Sequence, residues 1–349
     1  MKNSISELLK ERVYLLADGA TGSNLFDMGL QTGDSPELWN DIHPDRIATQ
    51  YQSFIDAGSD IILTNTFGGT RYRLKLHGAE ERVEELNSKA ALIARELVDQ
   101  CDKVVLIGGS IGPTGEILQP LGSLSVEDAA AAFEEQALAL KAGGVDVLWI
   151  ETMSSEEEAS AAVMGAAKAG LPIVTTYSVD TNGRTMMGLT PADIVKFSAQ
   201  LDPAPFAIGA NCGVGASESV AAVINMLHAS GHKEANPVVV VKANCGIPEY
   251  IDGKIVYSGT TKIMSEYVRL AVDAGARIIG GCCGTTPFHV QEMRKALDQH
   301  TKGEVPDLLS IEEKLGEVSN GAKAQLRGEM SIAAGALNDR TERKRSRRR

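Results

Sequence analysis

The stretch VDVLWIET, residues Val145–Thr152, decides the fold: it is an apolar run, broken only by Asp146, that ends in a carboxylate and a hydroxyl. Strands that are apolar along their whole length are typical of parallel sheets covered on both faces. Seven other runs have this character, and most are rich in valine and isoleucine. We therefore predict eight strands, at Val13–Gly19, Asp60–Thr66, Lys103–Gly109, Val145–Thr152, Pro172–Val179, Phe206–Gly213, Pro237–Gly246 and Ala276–Gly284.

Helical patterns separate the predicted strands. Apolar residues recur at steps of three and four from Val83 and again from Ile263, as they do along one face of a helix. Ser125, before an acidic turn, and Thr190, before a proline, are expected to cap helix starts. Because strand and helix alternate eight times, we predict an α/β fold of the (β/α)8 TIM-barrel class over residues 1–301.

A C-terminal extension is expected to follow over residues 302–349, partly helical and ending in a disordered basic tail. A doubly wound open sheet is the alternative fold. It is disfavoured because no GxGxxG motif follows a predicted strand.

Composition excludes several classes of protein. Hydrophobic residues make up 43% and charged residues 23% of the 349, ordinary values for a soluble globular chain. No run approaches the ~20 apolar residues of a membrane helix. The N-terminus, MKNSISELLKERVYLLADG, lacks the apolar core and cleavage site of a signal peptide. We therefore expect a cytoplasmic protein without membrane partners.

The net charge of −12 is unevenly spread. The last ten residues, RTERKRSRRR, hold seven Lys or Arg and one Glu and so carry +6, which leaves −18 on the other 339. An acidic body argues against a nucleic-acid partner. We interpret the tail as a solvated terminus rather than an anchor to anionic surfaces.

Polar and sulfur-bearing residues gather at the ends of the predicted strands, where barrel enzymes place their active sites. Four of the five cysteines lie there, namely Cys212, Cys245, Cys282 and Cys283. The polar residues at strand ends include Asp18, Thr66, Glu151, Asn211 and Asn244. This rim is therefore the predicted functional site.

The adjacent pair Cys282-Cys283 has two interpretations. Two small buried apolar side chains would fit, but the flanking glycines let backbone approach an ion and let both thiols turn the same way. With Cys212 as a third sulfur, the set is typical of a catalytic zinc site that keeps one position open. Cys245 is either a fourth sulfur or a bystander, and Cys101, at a predicted helix end, is expected to be structural.

The chain carries, in this order, the motifs DGATGSNL, ELWN, TNTFGG, IGPTGE, WIET, GANCG and GGCCGTTP. This set resembles the zinc-dependent homocysteine S-methyltransferase family from about Leu16 to Gln299. The likeness is greatest to the family's bacterial betaine–homocysteine methyltransferases, which share PELWN, TNTFGGT, GRTMMG and an arginine-rich terminus. By its length, the chain is expected to lack the cobalamin and folate modules of a full methionine synthase.

The resemblance implies a role for each rim residue. It implies three zinc ligands, Cys212, Cys282 and Cys283. Asp18 and the backbone of Gly19 would receive homocysteine, with Thr66 as a further contact. Glu151 would bind the amino group of homocysteine, so that Asp18 and Glu151 are the implied catalytic residues. Asn244 would fill the fourth zinc position before substrate arrives.

The implied reaction is methyl transfer from betaine to the thiolate of homocysteine, which gives methionine and dimethylglycine. Zinc would deprotonate the bound thiol, and the thiolate is the nucleophile. A quaternary ammonium donor prefers aromatic faces, for which the candidates are Trp39, Phe67 and Tyr177. Ordinary packing is the other interpretation of each. Glu116 is a candidate for a polar end of the donor, or else a loop residue.

Other interpretations of the function keep part of this chemistry. The same acceptor could take its methyl group from S-methylmethionine, from dimethylsulfoniopropionate or from a methyl-corrinoid protein. A zinc- or homocysteine-binding protein without turnover is the alternative from another class. The expected partners are small molecules, and the sequence leaves a homo-oligomer open.

Overall fold

The computed structural model describes residues 4–179, 182–231, 237–251 and 254–329. The predictions for the basic tail, Thr341–Arg349, lie outside the described residues. Within these ranges, no helix combines the length and the apolar character that crossing a membrane requires.

Eight parallel strands form the barrel, which confirms the predicted (β/α)8 fold. Neighbours along the chain pair in parallel, and the last strand pairs with the first, so that Leu15 lies opposite Ile278. A parallel bridge between Ala17 and Ile61 joins the first and second strands. The strands are β1 (Leu15–Leu16), β2 (Ile61–Leu63), β3 (Leu106–Ile111), β4 (Val147–Met153), β5 (Ile173–Tyr177), β6 (Ala207–Cys212), β7 (Val238–Ala243) and β10 (Ile278–Gly281).

Each predicted strand overlaps an observed one, but the bounds of all eight differ, and one hairpin was not predicted. The last run ends as a strand at Gly281 rather than Gly284, because the N–H of Thr285 donates to the carbonyl of Cys282 at 3.1 Å and closes a turn. After β7 the chain forms an antiparallel hairpin of β8 (Pro248–Ile251) and β9 (Lys254–Tyr257). This hairpin was not predicted, although an Asp-Gly pair between two short runs is a known hairpin signal.

Helices surround the barrel, and their starts follow the predicted caps. The hydroxyl of Ser125 accepts from the N–H of Asp128, and that of Thr190 accepts from the N–H of Asp193. The described helices are α1 (Ile5–Glu11), α2 (Gly22–Asp27), α3 (Trp39–Ile42), α4 (Pro44–Asp56), α5 (Arg71–Leu74), α6 (Val83–Val98), α7 (Val126–Gly143), α8 (Glu156–Ala167), α9 (Pro191–Ser198), α10 (Ala216–Ser230), α11 (Thr261–Ala274), α12 (Pro287–Asp298), α13 (Leu308–Leu315) and α14 (Asn320–Leu326). Short 3-10 turns occur at Pro36–Leu38, Lys75–His77 and Glu80–Arg82.

The barrel interior is apolar at the amino-terminal ends of the strands. One cluster of buried side chains joins the strands across the axis, and it contains Leu15, Ile61, Leu106, Val147, Val174, Ala207, Val240 and Ile278. Ile5, Leu8 and Leu9 of α1 belong to the same cluster and so plug the amino-terminal end of the barrel. Alternate strand residues belong to a second cluster that packs against the helices.

The segment after residue 301 folds back onto the barrel. Helices α13 and α14 pack against α10, and Ser217 donates its hydroxyl proton to the carbonyl of Glu317 at 2.9 Å. Gln325 donates from Nε2 to the carbonyl of Gly183 at 2.7 Å, which ties α14 to the loop after β5. Residues 308–326 thus brace one of the loops at the carboxyl-terminal ends of the strands.

The plug provides a test of the fold. Leu8 is 2% exposed, and replacing a buried leucine by alanine typically costs about 2–5 kcal/mol. We expect Leu8→Ala to lower the free energy of unfolding by that amount, as measured by urea denaturation.

The matched control is Leu92→Ala on α6, where the side chain is 48% exposed. A surface change of this kind should stay within about 0.5 kcal/mol. Equal losses in the two variants would show that α1 does not close the barrel.

Candidate metal and substrate site

The structure brings the three predicted metal ligands together. Cys212 ends β6, and Cys282 and Cys283 directly follow β10. Their sulfur atoms all lie within 4.8 Å of one another, and the Sγ atoms of Cys212 and Cys283 are 3.7 Å apart. This is the group of potential metal ligands found among the described residues.

Backbone conformation and one side chain hold this sulfur group in place. Cys212 has φ = 61°, a left-handed conformation that a non-glycine residue rarely adopts and that is often found at functional sites. Asn244, just after β7, accepts from the N–H of Cys283 at 3.1 Å and donates from Nδ2 to the carbonyl of Gly213 at 2.7 Å. The amide of Asn244 therefore joins the two cysteine loops, and its place as a fourth metal ligand stays a prediction.

One edge of the sulfur group has the length expected around a tetrahedral ion. A Zn–S bond of about 2.3 Å gives a tetrahedral sulfur–sulfur edge of roughly 3.8 Å, close to the distance between Cys212 and Cys283. Hydrogen bonds from Cys212 and Cys282 lower the pKa of Cys283 to about 3, whereas hydrogen bonding to Cys282 and Cys283 and burial raise the pKa of Cys212. Three thiolates this close would repel one another, and a bound Zn²⁺ would offset that repulsion.

The other two cysteines lie outside this group. Cys245 is buried, and burial raises the pKa of its thiol to about 11. Cys101 follows α6, and its thiol donates to the carbonyl of Leu97 at 3.3 Å. Both therefore have the surroundings of inert, packed thiols.

Glu151 lies on β4 with its side chain inside the barrel. It is 8% exposed, and the hydroxyl of Ser110 on β3 donates to its Oε1 at 2.5 Å. Burial raises the pKa of Glu151 to about 7, and the nearby Lys242 ammonium opposes that shift. A buried carboxyl with a single hydrogen bond is suited to pairing with an incoming cation.

The backbone after Glu151 is strained and is held by a neighbouring strand. Thr152 has φ = 66°, an outlier for a β-branched residue, and the register of β4 shifts there. Asn211 on β6 accepts from the N–H of Thr152 at 2.8 Å and donates to its hydroxyl at 2.7 Å. Asn211 therefore fixes the part of β4 that carries the acid.

Lys242 is a central residue of the site that the sequence analysis missed. Its ammonium lies inside the barrel, 2% exposed, and donates to Oδ1 of Asp18 at 2.6 Å. It also lies 5.7 Å from the centre of the Trp149 ring. Although burial disfavours the charged form, the carboxylates of Asp18 and Glu151 raise the pKa of Lys242. A lysine inside the run VVVVKANCG was the available signal, because a buried strand tolerates a charge only with a partner.

The loop after β1 meets the loop after β10 beside the cysteines. The N–H of Ala20 donates to the carbonyl of Thr285 at 3.0 Å, and a Cβ on Gly19 would approach the same oxygen to 2.5 Å. Only glycine fits at position 19, which keeps its backbone open at the strand end. Thr66 is fully buried, and its hydroxyl donates to the carbonyl of Ser110 at 2.7 Å, so it forms part of the wall.

The three aromatic candidates lie in different places. Tyr177 is 0% exposed on the outer side of β5, beside Ser198 of α9, so the expectation that it faces a donor is wrong. The Trp39 ring is buried against His43 and the guanidinium of Arg46, each 4.9 Å away, and packing likewise explains it. Phe67 keeps 37% of its surface exposed at the end of β2.

Glu116 does not contact the sulfur group in the described structure. It is exposed in the loop after β3, where its N–H donates to the hydroxyl of Thr114 at 3.2 Å. The polar-end role expected for it therefore has no structural support, and a loop role fits.

Comparison with known proteins gives a family for most of the chain. The family model for homocysteine S-methyltransferase matches residues 15–297. Methionine synthase of Mycobacterium leprae is 30% identical over 317 residues, which cover 86% of this chain and 26% of that protein. Methionine synthase of Mycobacterium tuberculosis is 29% identical over 308 residues, or 83% of this chain and 25% of that protein. The chain thus spans about a quarter of the length of these relatives.

A solved structure matches over nearly its whole length. The homocysteine methyltransferase MmuM from Escherichia coli, in its oxidised form, superposes with a TM-score of 0.69 and 25% identity, covering 84% of this chain and 99% of that one. Since the family model covers most of the chain and includes all three clustered cysteines, this chain belongs to the homocysteine S-methyltransferase family.

Proposed function

We propose that this chain transfers a methyl group to the thiol of homocysteine, with Zn²⁺ as cofactor and betaine as the leading donor. The observation that carries the proposal is the group of three cysteine sulfurs within 4.8 Å of one another, at the end of a barrel that also buries Glu151. Family membership supports homocysteine as the acceptor. The shared motifs support betaine as the donor.

Cys212, Cys282 and Cys283 would hold the metal. Bound there, Zn²⁺ would deprotonate the thiol of homocysteine and keep the sulfur nucleophilic. Asn244 contributes by fixing the two loops that present the cysteines. Because no carbon atom loses a proton in methyl transfer, the residues of the chain need to bind and orient the reactants rather than act as a general base.

Glu151 would recognise the ammonium group of the amino acid. Among the described residues its carboxyl has one hydrogen bond, from Ser110, and no lysine or arginine lies within 4.0 Å of it. A buried carboxylate is costly while unpaired. Pairing with the substrate ammonium offsets that cost and directs the other end of the molecule toward the cysteines.

Phe67 is the one aromatic candidate that we retain for the donor. Its exposed face at the end of β2 could contact a quaternary ammonium group, a contact worth roughly 0.5–2 kcal/mol. Such a contact distinguishes poorly between one methylated cation and another. Donor identity therefore needs a direct assay.

Metal content tests the cysteine group. We expect one zinc ion per chain in the purified protein, and we expect Cys212→Ala, Cys282→Ala and Cys283→Ala each to lose most of it, because two thiolates cannot complete the site. Elemental analysis gives the content. Cys101→Ala is the matched control and should keep its zinc, since Cys101 lies outside the group. Full zinc retention by Cys282→Ala and Cys283→Ala would refute the metal site.

Turnover tests the reaction. Zinc-loaded protein with homocysteine should form methionine and dimethylglycine in equal amounts from betaine, and Cys283→Ala should form neither. The products are measured by mass spectrometry, with S-methylmethionine and dimethylsulfoniopropionate supplied in parallel. Methionine from one of these donors but not from betaine would reassign the donor. No methionine from any donor would favour a binding protein over an enzyme.

The pH dependence of binding tests Glu151. Because burial raises its pKa to about 7, the carboxyl gains a proton as the pH falls below neutrality and can no longer pair with an ammonium. The preference for homocysteine over 4-mercaptobutanoate, the same acid without the amino group, should therefore fall between about pH 8 and pH 6. Calorimetry measures both affinities, and their ratio removes the pH dependence of the thiol. A ratio that stays constant in the wild type, or one that still changes with pH in Glu151→Gln, would contradict this role.

A further inference from the structure

The buried ion pair of Lys242 and Asp18 has no part in the reaction as proposed. It lies inside the barrel with both side chains almost fully buried, their polar atoms 2.6 Å apart. Taking two charges out of water costs several kcal/mol per ion unless the geometry is good. A pair retained at the floor of a substrate site therefore calls for an explanation in terms of the substrate.

The carboxylate of Asp18 is already engaged through both oxygens. Oδ1 accepts from the ammonium of Lys242 at 2.6 Å, and Oδ2 accepts from the backbone N–H of Leu63 at 2.7 Å. A substrate ammonium could reach this carboxylate only by displacing Lys242 or by sharing an oxygen with it, and the second cation would be repelled by the first.

The fold makes room for Lys242 in this position. A Cβ on Gly280 of β10 would lie 3.1 Å from Cγ of Lys242, so the absence of a side chain there leaves space for the lysine stem. The Trp149 ring lies on another side of the ammonium, at 5.7 Å. The ammonium is therefore held between Asp18 and the ring.

Glu151 differs from Asp18 in its hydrogen-bond and ion-pair partners. Within the described part of the chain it has the single hydrogen bond from Ser110 and no ion-pair partner. Of the three titratable side chains inside this part of the barrel, Lys242 and Asp18 pair with each other, and the carboxyl of Glu151 is left without an ion-pair partner among the described residues. Of these two described carboxyls, Glu151 is thus the one without a cationic partner.

We propose that Lys242 is a positioning residue that occupies Asp18 and so assigns recognition of the substrate ammonium to Glu151 alone. The inference rests on the proposed function and deepens it, since it restricts the acceptor to thiols that carry one ammonium group. It also revises the role implied for Asp18, whose side chain then shapes the wall through Lys242 and Leu63 instead of binding substrate.

The double variant Asp18→Asn/Lys242→Met tests this assignment. It removes both charges at once, so the net charge inside this part of the barrel is unchanged, and both replacements are close in shape to the originals. The measurement is calorimetric binding of homocysteine and of 4-mercaptobutanoate to the zinc-loaded protein. We expect the ratio of the two affinities to stay within about threefold of the wild-type ratio, whereas Glu151→Gln should reduce it by roughly 10- to 100-fold.

The outcomes separate the two proposals. Wild-type protein that binds neither thiol would overturn the proposed function and this inference with it. Wild-type protein that selects homocysteine, with a double variant that loses selectivity as fully as Glu151→Gln, would overturn this inference alone. If Lys242 serves stability only, Lys242→Met should lower the melting temperature, and Glu151 should not be the sole determinant of the affinity ratio. That result would overturn the inference.

A measurement on the unaltered protein covers the case in which the double variant does not fold. In a crystal structure of the zinc-loaded wild type with homocysteine, we expect the substrate nitrogen within hydrogen-bond distance of Glu151 and the contact between Lys242 and Asp18 intact. Substrate nitrogen bound to Asp18, with Lys242 displaced, would overturn the inference.

Discussion

The amide of Asn244 joins two loops that are 70 residues apart in sequence, and these are the loops that carry Cys212 and Cys283. Its oxygen accepts from the N–H of Cys283 after β10, and its nitrogen donates to the carbonyl of Gly213 after β6. β7 lies between these two strands in the sheet, so a residue at its end reaches both neighbours. The barrel closure brings the three strand ends together, and the amide sets the sulfur atoms at a distance that suits one ion.

The charged side chains near the cysteines form a second group, in which two carboxyls lie near one ammonium. Three thiols crowd together at the rim, and below them two carboxyls face a single ammonium. Lys242 cancels one carboxyl, and Glu151 remains with a hydroxyl as its partner. The protein side of the site is thus deficient in positive charge at two places, one suited to a metal ion and the other to the ammonium of an amino acid.

The fold and the sulfur group were predictable from sequence because each depends on a local pattern. Apolar runs such as Val145–Thr152 mark buried parallel strands, and residues at the ends of parallel strands must share one edge. Contacts across the barrel leave no such pattern. Nothing in the run that contains Lys242 shows that its ammonium pairs with Asp18, which follows β1. Tyr177 was misjudged for a related reason, because its face of β5 depends on where the strand begins, and a shift of one residue exchanges the inner and outer faces.

In the proposed reaction, the thiolate of the substrate completes a metal site made by three cysteines. X-ray absorption at the zinc edge of the purified protein reports the number of sulfur atoms around the ion directly. Without substrate, we predict three sulfurs and one lighter ligand, from Cys212, Cys282, Cys283 and a nitrogen or oxygen atom. With saturating homocysteine, the count should rise to four sulfurs. A count that stays at three with homocysteine in excess would contradict the claim, because the acceptor would then react without binding to the metal.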